Sequence, residues 1–313
     1  MSRVLGFIGR TLIVAGLFIL GFVGYQLWGT SIEEGRNQGD LTHSLAEHVD
    51  SKQTDVNPAT VDVNGLAKAL SRVDPATAPP SAEPADGQPV GIIEIPKIGL
   101  ERVIVQGVSK ADLKKGPGHY PGTPLPGQAG NSGIAGHRTT YGAPFNRIDE
   151  LSPGDQVLIT TPQGRFTYKV IPGPGSDQAP YVVKPTDVSV LLDKGDNRIT
   201  LTACHPKYSA KQRIIVNAVL SSEPAAAAPV STSASSSKPK VVQAAQLDEG
   251  LGGDTSALPV AIAFVAAALV VGLLAWFLGR RGHKWLLYAL ATPIVLALVW
   301  GSYVYLDRYL PSL

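Results

Sequence analysis

Three apolar runs, at residues 11–28, 258–278 and 285–306, stand out from a chain that is otherwise polar or alternating. None contains Asp, Glu, Lys or Arg, and each is long enough to cross ~30 Å of hydrocarbon at ~1.5 Å per residue. The first follows Arg3 and Arg10 and runs into Tyr25, Leu27 and Trp28 without a small-residue cleavage site. It therefore reads as an uncleaved anchor rather than a signal peptide. The second and third are joined by the bridge 279–284, which carries Arg280, Arg281 and Lys284. Positive charge marks the cytoplasmic side of a span. The N-terminus and this turn, with His283, are thus expected inside, and about 30–257 and the tail 307–313 outside. The competing reading of the last two runs is a buried helical hairpin of a soluble protein.

Between the anchors the pattern changes twice. Residues 33–88 are rich in Asp, Ala, Pro, Ser and Thr, with helical periodicity over 61–73 and a Pro/Ala-rich stretch at 76–87. They read as a polar linker or pre-domain. Residues 222–257 are low in complexity and read as a second tether. The segment 89–221 has globular character and is long enough to bury a core. Short β-rich runs at 91–95, 102–105, 157–161, 165–171, 197–203 and 213–220 are separated by Gly and Pro. Pro162-Gln163-Gly164 between two of them marks a hairpin. Short helices are expected at 109–115, behind Ser109, and at 185–192. The expected class is all-β, a closed barrel or sandwich with short helices, plus three transmembrane helices. The expected organisation is an anchor at 1–32, a polar linker or pre-domain at 33–88, a catalytic domain at 89–221, a linker at 222–257, two spans within 258–306 and an outer tail at 307–313.

A net charge of +2 over 313 residues gives no argument for a nucleic-acid partner. Cys204 is the only cysteine and has no partner for an internal disulfide. At the end of the run 197–203, it is held at a strand end where a substrate can reach it. A working thiol attacks as the thiolate and needs a base or a positive neighbour. Of six histidines, the topology leaves His119, His137 and His205 near an outer domain. His137 follows Ile134-Ala135-Gly136 at an apparent strand end and reads as a catalytic base or as a structural hydrogen-bonder. His119 lies in the Gly- and Pro-rich 116–122 and reads as structural or groove-lining. His205 adjoins Cys204, and adjacent residues on a strand point to opposite faces, so proton transfer between them is awkward. Arg213 opens the next strand. If the two strands are antiparallel neighbours, its guanidinium can meet Cys204 across the ladder and stabilise an oxyanion. The alternative is an exposed strand-edge charge. No zinc spacing, phosphate loop or dinucleotide fingerprint is present in the sequence, and no cofactor or metal is expected.

Thr200-Leu201-Thr202-Ala203-Cys204 resembles the Thr-Leu-x-Thr-Cys motif of sortases. Ala135-Gly136-His137 and Arg213 are similar to the family's other two catalytic positions, in the family's order of His, Cys and Arg. The stretches 116–122, 136–145 and 204–210 most resemble class E, the actinobacterial housekeeping type. Class C also carries a membrane segment after its barrel, but Ala76 follows Asp74-Pro75 where class C has an aromatic lid residue. The resemblance implies an eight-stranded sortase-type β-barrel and a membrane-anchored cysteine transpeptidase. Such an enzyme cleaves a Thr–Gly bond in an LPxTG- or LAxTG-like C-terminal sorting motif of secreted proteins. It then joins the Thr carbonyl to an amine of a Gram-positive cell-wall precursor. His137, Cys204 and Arg213 would be catalytic, and Thr202, Ala203, His205, Tyr141 and His119 are groove candidates. Ala203 departs from the family's threonine. The alternatives are a class C-like pilin polymerase, an L,D-transpeptidase-type wall enzyme and a non-catalytic membrane scaffold.

Overall fold

Alternation along the strands sets the architecture of the computed structural model, which describes residues 2–49, 56–228, 254–280 and 284–310. The chain divides into two compact units, one of Met1–Trp28 with Gly252–Ser312 and one of Gly29–Leu251.

The first unit holds α1 (Ser2–Gly24), α5 (Ala257–Gly279) and α6 (Lys284–Tyr309). Each is long and apolar enough to cross a membrane. Leu12, Leu17, Leu269, Leu273 and Leu290 are exposed on them, the surface a hydrocarbon solvent would cover. Aromatic rings tie the unit together: Phe18 lies 5.0 Å from Tyr303, and Tyr25 meets Trp300 edge-on at 5.0 Å. Gln26 Nε2 donates to Asp307 Oδ1 at 3.0 Å. Part of the basic turn, Arg281, Gly282 and His283, lies outside the described residues.

In the second unit, β1 (Pro89–Ile95) and β2 (Leu100–Gln106) form a hairpin whose turn places Gly99 at φ +66°, a conformation without penalty for glycine. β3 (Gly118–His119) runs parallel to β2 and antiparallel to β4 (Asn131–Ala135). β5 (Gln156–Thr161) and β6 (Gly164–Val170) form the hairpin expected from Pro162-Gln163-Gly164. β7 is Tyr181–Val183, β8 is Arg198–His205 and β9 is Gln212–Leu220. The order β6-β5-β1-β2-β3-β4-β8-β9 closes through a β6–β9 pairing, giving the expected eight-stranded barrel. β6 covers only the far end of β9, at Ala218–Leu220, while β7 pairs with its near end at Arg213–Ile215.

Alternate residues fill the barrel: Ile134, Ile159, Phe166, Ile199, Leu201, Ala203, Ile214 and Val216 share one interior cluster. Each large aliphatic side chain buried there contributes about 1.5–3 kcal/mol. The other parity faces outward but is not always wet. Ile92, Val103 and Val105 lie under α2 (Thr30–His48) and α3 (Val63–Leu70), which contribute Leu41, Leu45, Leu66 and Leu70. Asp62 caps α3 by accepting from Gly65 N at 2.8 Å. Of the two readings of 33–88, linker and pre-domain, the packed helices agree with the second: 30–48 is helical, and two helices pack on the barrel. Their apolar residues recur only at a helix's inner positions, so the average composition stays polar. The start of the second expected tether is also ordered, with Ala225 bridging to Gln128 and Ala227 to Ser81. Residues 229–253 lie outside the described residues. The expected helix behind Ser109 is α4 (Lys110–Leu113), capped by the Ser109 hydroxyl, and the one at 185–192 is a 3₁₀ turn over Val188–Leu191.

Candidate active site

The register of β8 and β9 pairs Cys204 directly with Arg213. Directly opposed residues share a face, so both side chains leave the ladder on the same side. That face is the barrel's outer one, because Ala203 and Ile214 belong to the interior cluster. Arg213 Nη1 donates to the carbonyls of Ala210 and Gln212 at 2.9 and 2.8 Å, which directs the side chain.

β4 flanks β8 on the other side, in parallel, with Ala135 opposite Thr202. Gly136 N donates to Thr202 O at 3.0 Å, so the ladder continues past the strand's end. Extending the register by two residues sets His137 beside Cys204. His137, Cys204 and Arg213 then form a row across three adjacent strands spaced roughly 5 Å apart. All three are buried. Gly136 permits this approach, since a Cβ there would meet the Phe145 ring at 2.6 Å.

The outer face beside the row is roofed by a polar network. Thr200 Oγ1 hydrogen-bonds to Asn131 Oδ1 at 2.8 Å, and Asn131 Nδ2 donates to the carbonyls of Val190 and Leu192. Asn217 Nδ2 donates to the Tyr181 hydroxyl oxygen at 3.0 Å. Val190, Leu191 and Ile215 complete the cover with Tyr120 and Ala135. This fixes β7 and the 3₁₀ turn next to the site.

The remaining candidates separate. Thr202 shares the Cys204 face, and its hydroxyl lies 3.0 Å from the Tyr120 hydroxyl. Tyr141 is buried with its ring 5.2 Å from that of His137. Ala203 points into the barrel interior, away from the thiol's face, which corrects its place as a groove candidate. His205 follows the parity of Ala203, and its Nδ1 lies 3.1 Å from Arg138 Nη1. A guanidinium cannot accept, so Nδ1 does, and the ring is bound away from Cys204. His119 is on a strand rather than in a loop and is fully buried. Its Nδ1 lies 2.8 Å from Gln106 Oε1, and its Nε2 lies 2.9 Å from Pro124 O and 3.1 Å from the Thr123 hydroxyl; the neutral ring donates through one nitrogen only. Burial disfavours its charged form and lowers its pKa to about 4. It lines no groove.

Two neighbours escaped the sequence reading. Tyr120 N donates to Gly133 O, and a Cβ at Gly133 would meet the Tyr120 ring at 2.7 Å. The glycine inside β4 is the signal that a ring crosses that strand. Burial pushes the Tyr120 hydroxyl up to about 12, with its bond to Thr202 and the nearby Arg213 charge acting against it. It stays neutral beside the row. Arg138 is buried, pairs with Asp149 at 2.9 Å and reaches Cys204 O at 3.4 Å. It ties the segment after His137 to the strand end that bears Cys204. Burial raises the Asp149 carboxyl, but the bond from Arg138 outweighs it with help from neighbouring groups, and the net direction is down.

Residues 93–221 match the sortase domain family model. The chain is 34% identical over 227 residues to Sortase SrtE1 of Streptomyces coelicolor, covering 67% of this chain and 55% of that one. It therefore spans little more than half the length of that relative. It is 30% identical over 196 residues to Sortase D of Bacillus subtilis, covering 62% of this chain and 86% of that one. A solved structure of sortase E from Streptomyces avermitilis is 37% identical, with a TM-score of 0.39, over 45% of this chain and 93% of that one.

Proposed function

The chain belongs to the sortase family, and from that premise we propose that it is a membrane-anchored cysteine transpeptidase of class E type. The observations that support this reading are the register that pairs Cys204 on β8 with Arg213 on β9 and the one that pairs Ala135, two residues before His137, with Thr202. Cys204 attacks the Thr carbonyl of a C-terminal sorting motif on a secreted protein. The Thr–Gly bond breaks, His137 gives its proton to the departing glycine amine, and a thioester remains on Cys204. An amine of a cell-wall precursor then attacks the thioester, His137 takes the amine's proton, and the thiolate leaves. Arg213 stabilises the oxyanion in both steps. Its charge also favours the thiolate in a buried setting, where an isolated anion would be costly.

Residues 1–32 form the first anchor and 258–306 the other two spans, with the basic turn 279–284 in the cytoplasm and the barrel, 89–221, outside. Arg280 and Lys284 flanking apolar helices support that orientation. Tethering holds the site near the outer leaflet, where a sorting signal and a lipid-linked acceptor are both concentrated.

The test incubates the full chain with a panel of LPxTG and LAxTG peptides and a diamine, with ligated product read by mass spectrometry. Ligation by the wild type and its loss by about three orders of magnitude in Cys204→Ala are expected. Cleavage without transfer at any amine concentration would reduce the activity to hydrolysis. Undiminished ligation by Cys204→Ala would remove the nucleophile assignment.

A further inference from the structure

Three consecutive residues just beyond His137 have left-handed backbone: Tyr141 at φ +49°, Gly142 at +70° and Ala143 at +44°. Two of them carry a Cβ, which disfavours that region, so the run persists only where its surroundings impose it. α2 supplies part of that constraint. The fully buried Thr30 accepts a hydrogen bond at Oγ1 from Tyr141 N, at 3.1 Å. One helical turn on, Glu34 packs against Gly142 so closely that a Cβ there would lie 2.6 Å from the carboxylate. Arg102 Nε donates to Glu34 Oε1 at 2.8 Å, which fixes the carboxylate in turn. Gln38, another turn along, exchanges hydrogen bonds with Val103 on β2, so the helix is itself registered on the barrel. On the far side of the run, the Tyr141 ring lies against His137 at 35° between planes, and Lys114 Nζ sits 4.8 Å from the ring centroid.

We propose that α2 is a brace for the catalytic imidazole: Thr30 and Glu34 hold 141–143 in its left-handed run, and the Tyr141 ring thereby sets the orientation of His137. Thr30, Glu34 and Tyr141 are positioning residues and take no part in bond making. This rests on the transpeptidase reading only for its kinetic consequence. The geometric claim stands apart, because ring orientation is observable without turnover.

The test uses the full chain in lipid nanodiscs, with histidine labelled at Cε1. Two readouts are taken, the His137 Cε1–H resonance and the kcat and KM of peptide ligation. His119, buried in the same barrel, serves as an internal report of folding. Thr30→Val keeps the shape and removes the acceptor, whereas Thr30→Ser keeps the acceptor. The brace predicts that Thr30→Val moves or splits the His137 resonance, leaves that of His119 in place and lowers kcat roughly tenfold with KM unchanged. Thr30→Ser restores both readouts. Tyr141→Leu, which removes the ring, displaces the same resonance and covers the case in which Thr30→Val does not fold. An unmoved His137 resonance in both Thr30→Val and Tyr141→Leu overturns the brace, as does a Thr30→Ser as impaired as Thr30→Val. A wild type inactive on every peptide counts against the transpeptidase reading alone, and the resonance then decides the brace.

Discussion

At the scale of single residues, position in a strand separates roles that adjacency in sequence blurs. Cys204 and Arg213 were legible because side chains alternate with period two and residues 206–211 are short enough to return the chain antiparallel. Replacing Arg213 with Lys keeps a charge but loses the planar fork anchored on the carbonyls of Ala210 and Gln212. Arg213→Lys is expected to lower kcat by about 10²-fold with KM changed little, as measured by initial rates of ligation. Ala203 was legible only as a departure from a motif. Its inward direction appears once Ile199, Leu201 and Ala203 share the interior cluster. Ala203→Thr therefore sets a hydroxyl among apolar side chains. It is expected to cost about 1–3 kcal/mol in urea unfolding and to leave KM unchanged. A severalfold fall in KM would instead mean that the hydroxyl reaches substrate.

At the scale of elements, the strands were readable, α3 falls within the periodic stretch 61–73, and α2 was not readable. β1, β5, β6, β8 and β9 have strong alternation or a hairpin turn between them. α2 carries exposed Glu33, Arg36 and Asp40 and buries Glu34 beside Leu41 and Leu45, so its composition resembles that of a tether. Its contribution becomes visible only against Ile92, Val103 and Val105, outward-facing positions on β1 and β2 that would otherwise be wet. Leu66 on α3 is fully buried in that layer. Leu66→Ala is expected to destabilise the barrel unit by about 2–5 kcal/mol in urea unfolding, with kcat unchanged where the protein is folded. Loss of less than about 0.5 kcal/mol would mean that α3 is only loosely attached.

At the scale of the whole molecule, two properties follow from burial and charge. His119 is held neutral inside the barrel, its pKa lowered from 6.5 to about 4. Between those values the unfolded chain binds a proton that the folded one does not, so stability falls as pH drops through that window. The loss approaches roughly 3 kcal/mol at its acid end. His119→Gln should flatten that part of the stability curve in urea titrations between pH 7 and 4, and an unchanged slope would reject the linkage. The proposed orientation is tested in a Cys204→Ala background. A membrane-impermeant thiol reagent added outside intact cells should label Ser236→Cys and spare Gly282→Cys, and the reverse pattern would invert the topology.

The central claim is that the Cys204 sulfur carries the acyl group while His137 and Arg213 flank it. Its most direct measurement is peptide-mapping mass spectrometry of wild-type protein quenched during turnover on a sorting peptide without an amine acceptor. The account predicts a hydroxylamine-labile adduct, its mass that of the peptide cut after Thr, on the fragment bearing Cys204. An active enzyme whose adduct lies on another residue, or that turns over with Cys204 never acylated, would contradict it.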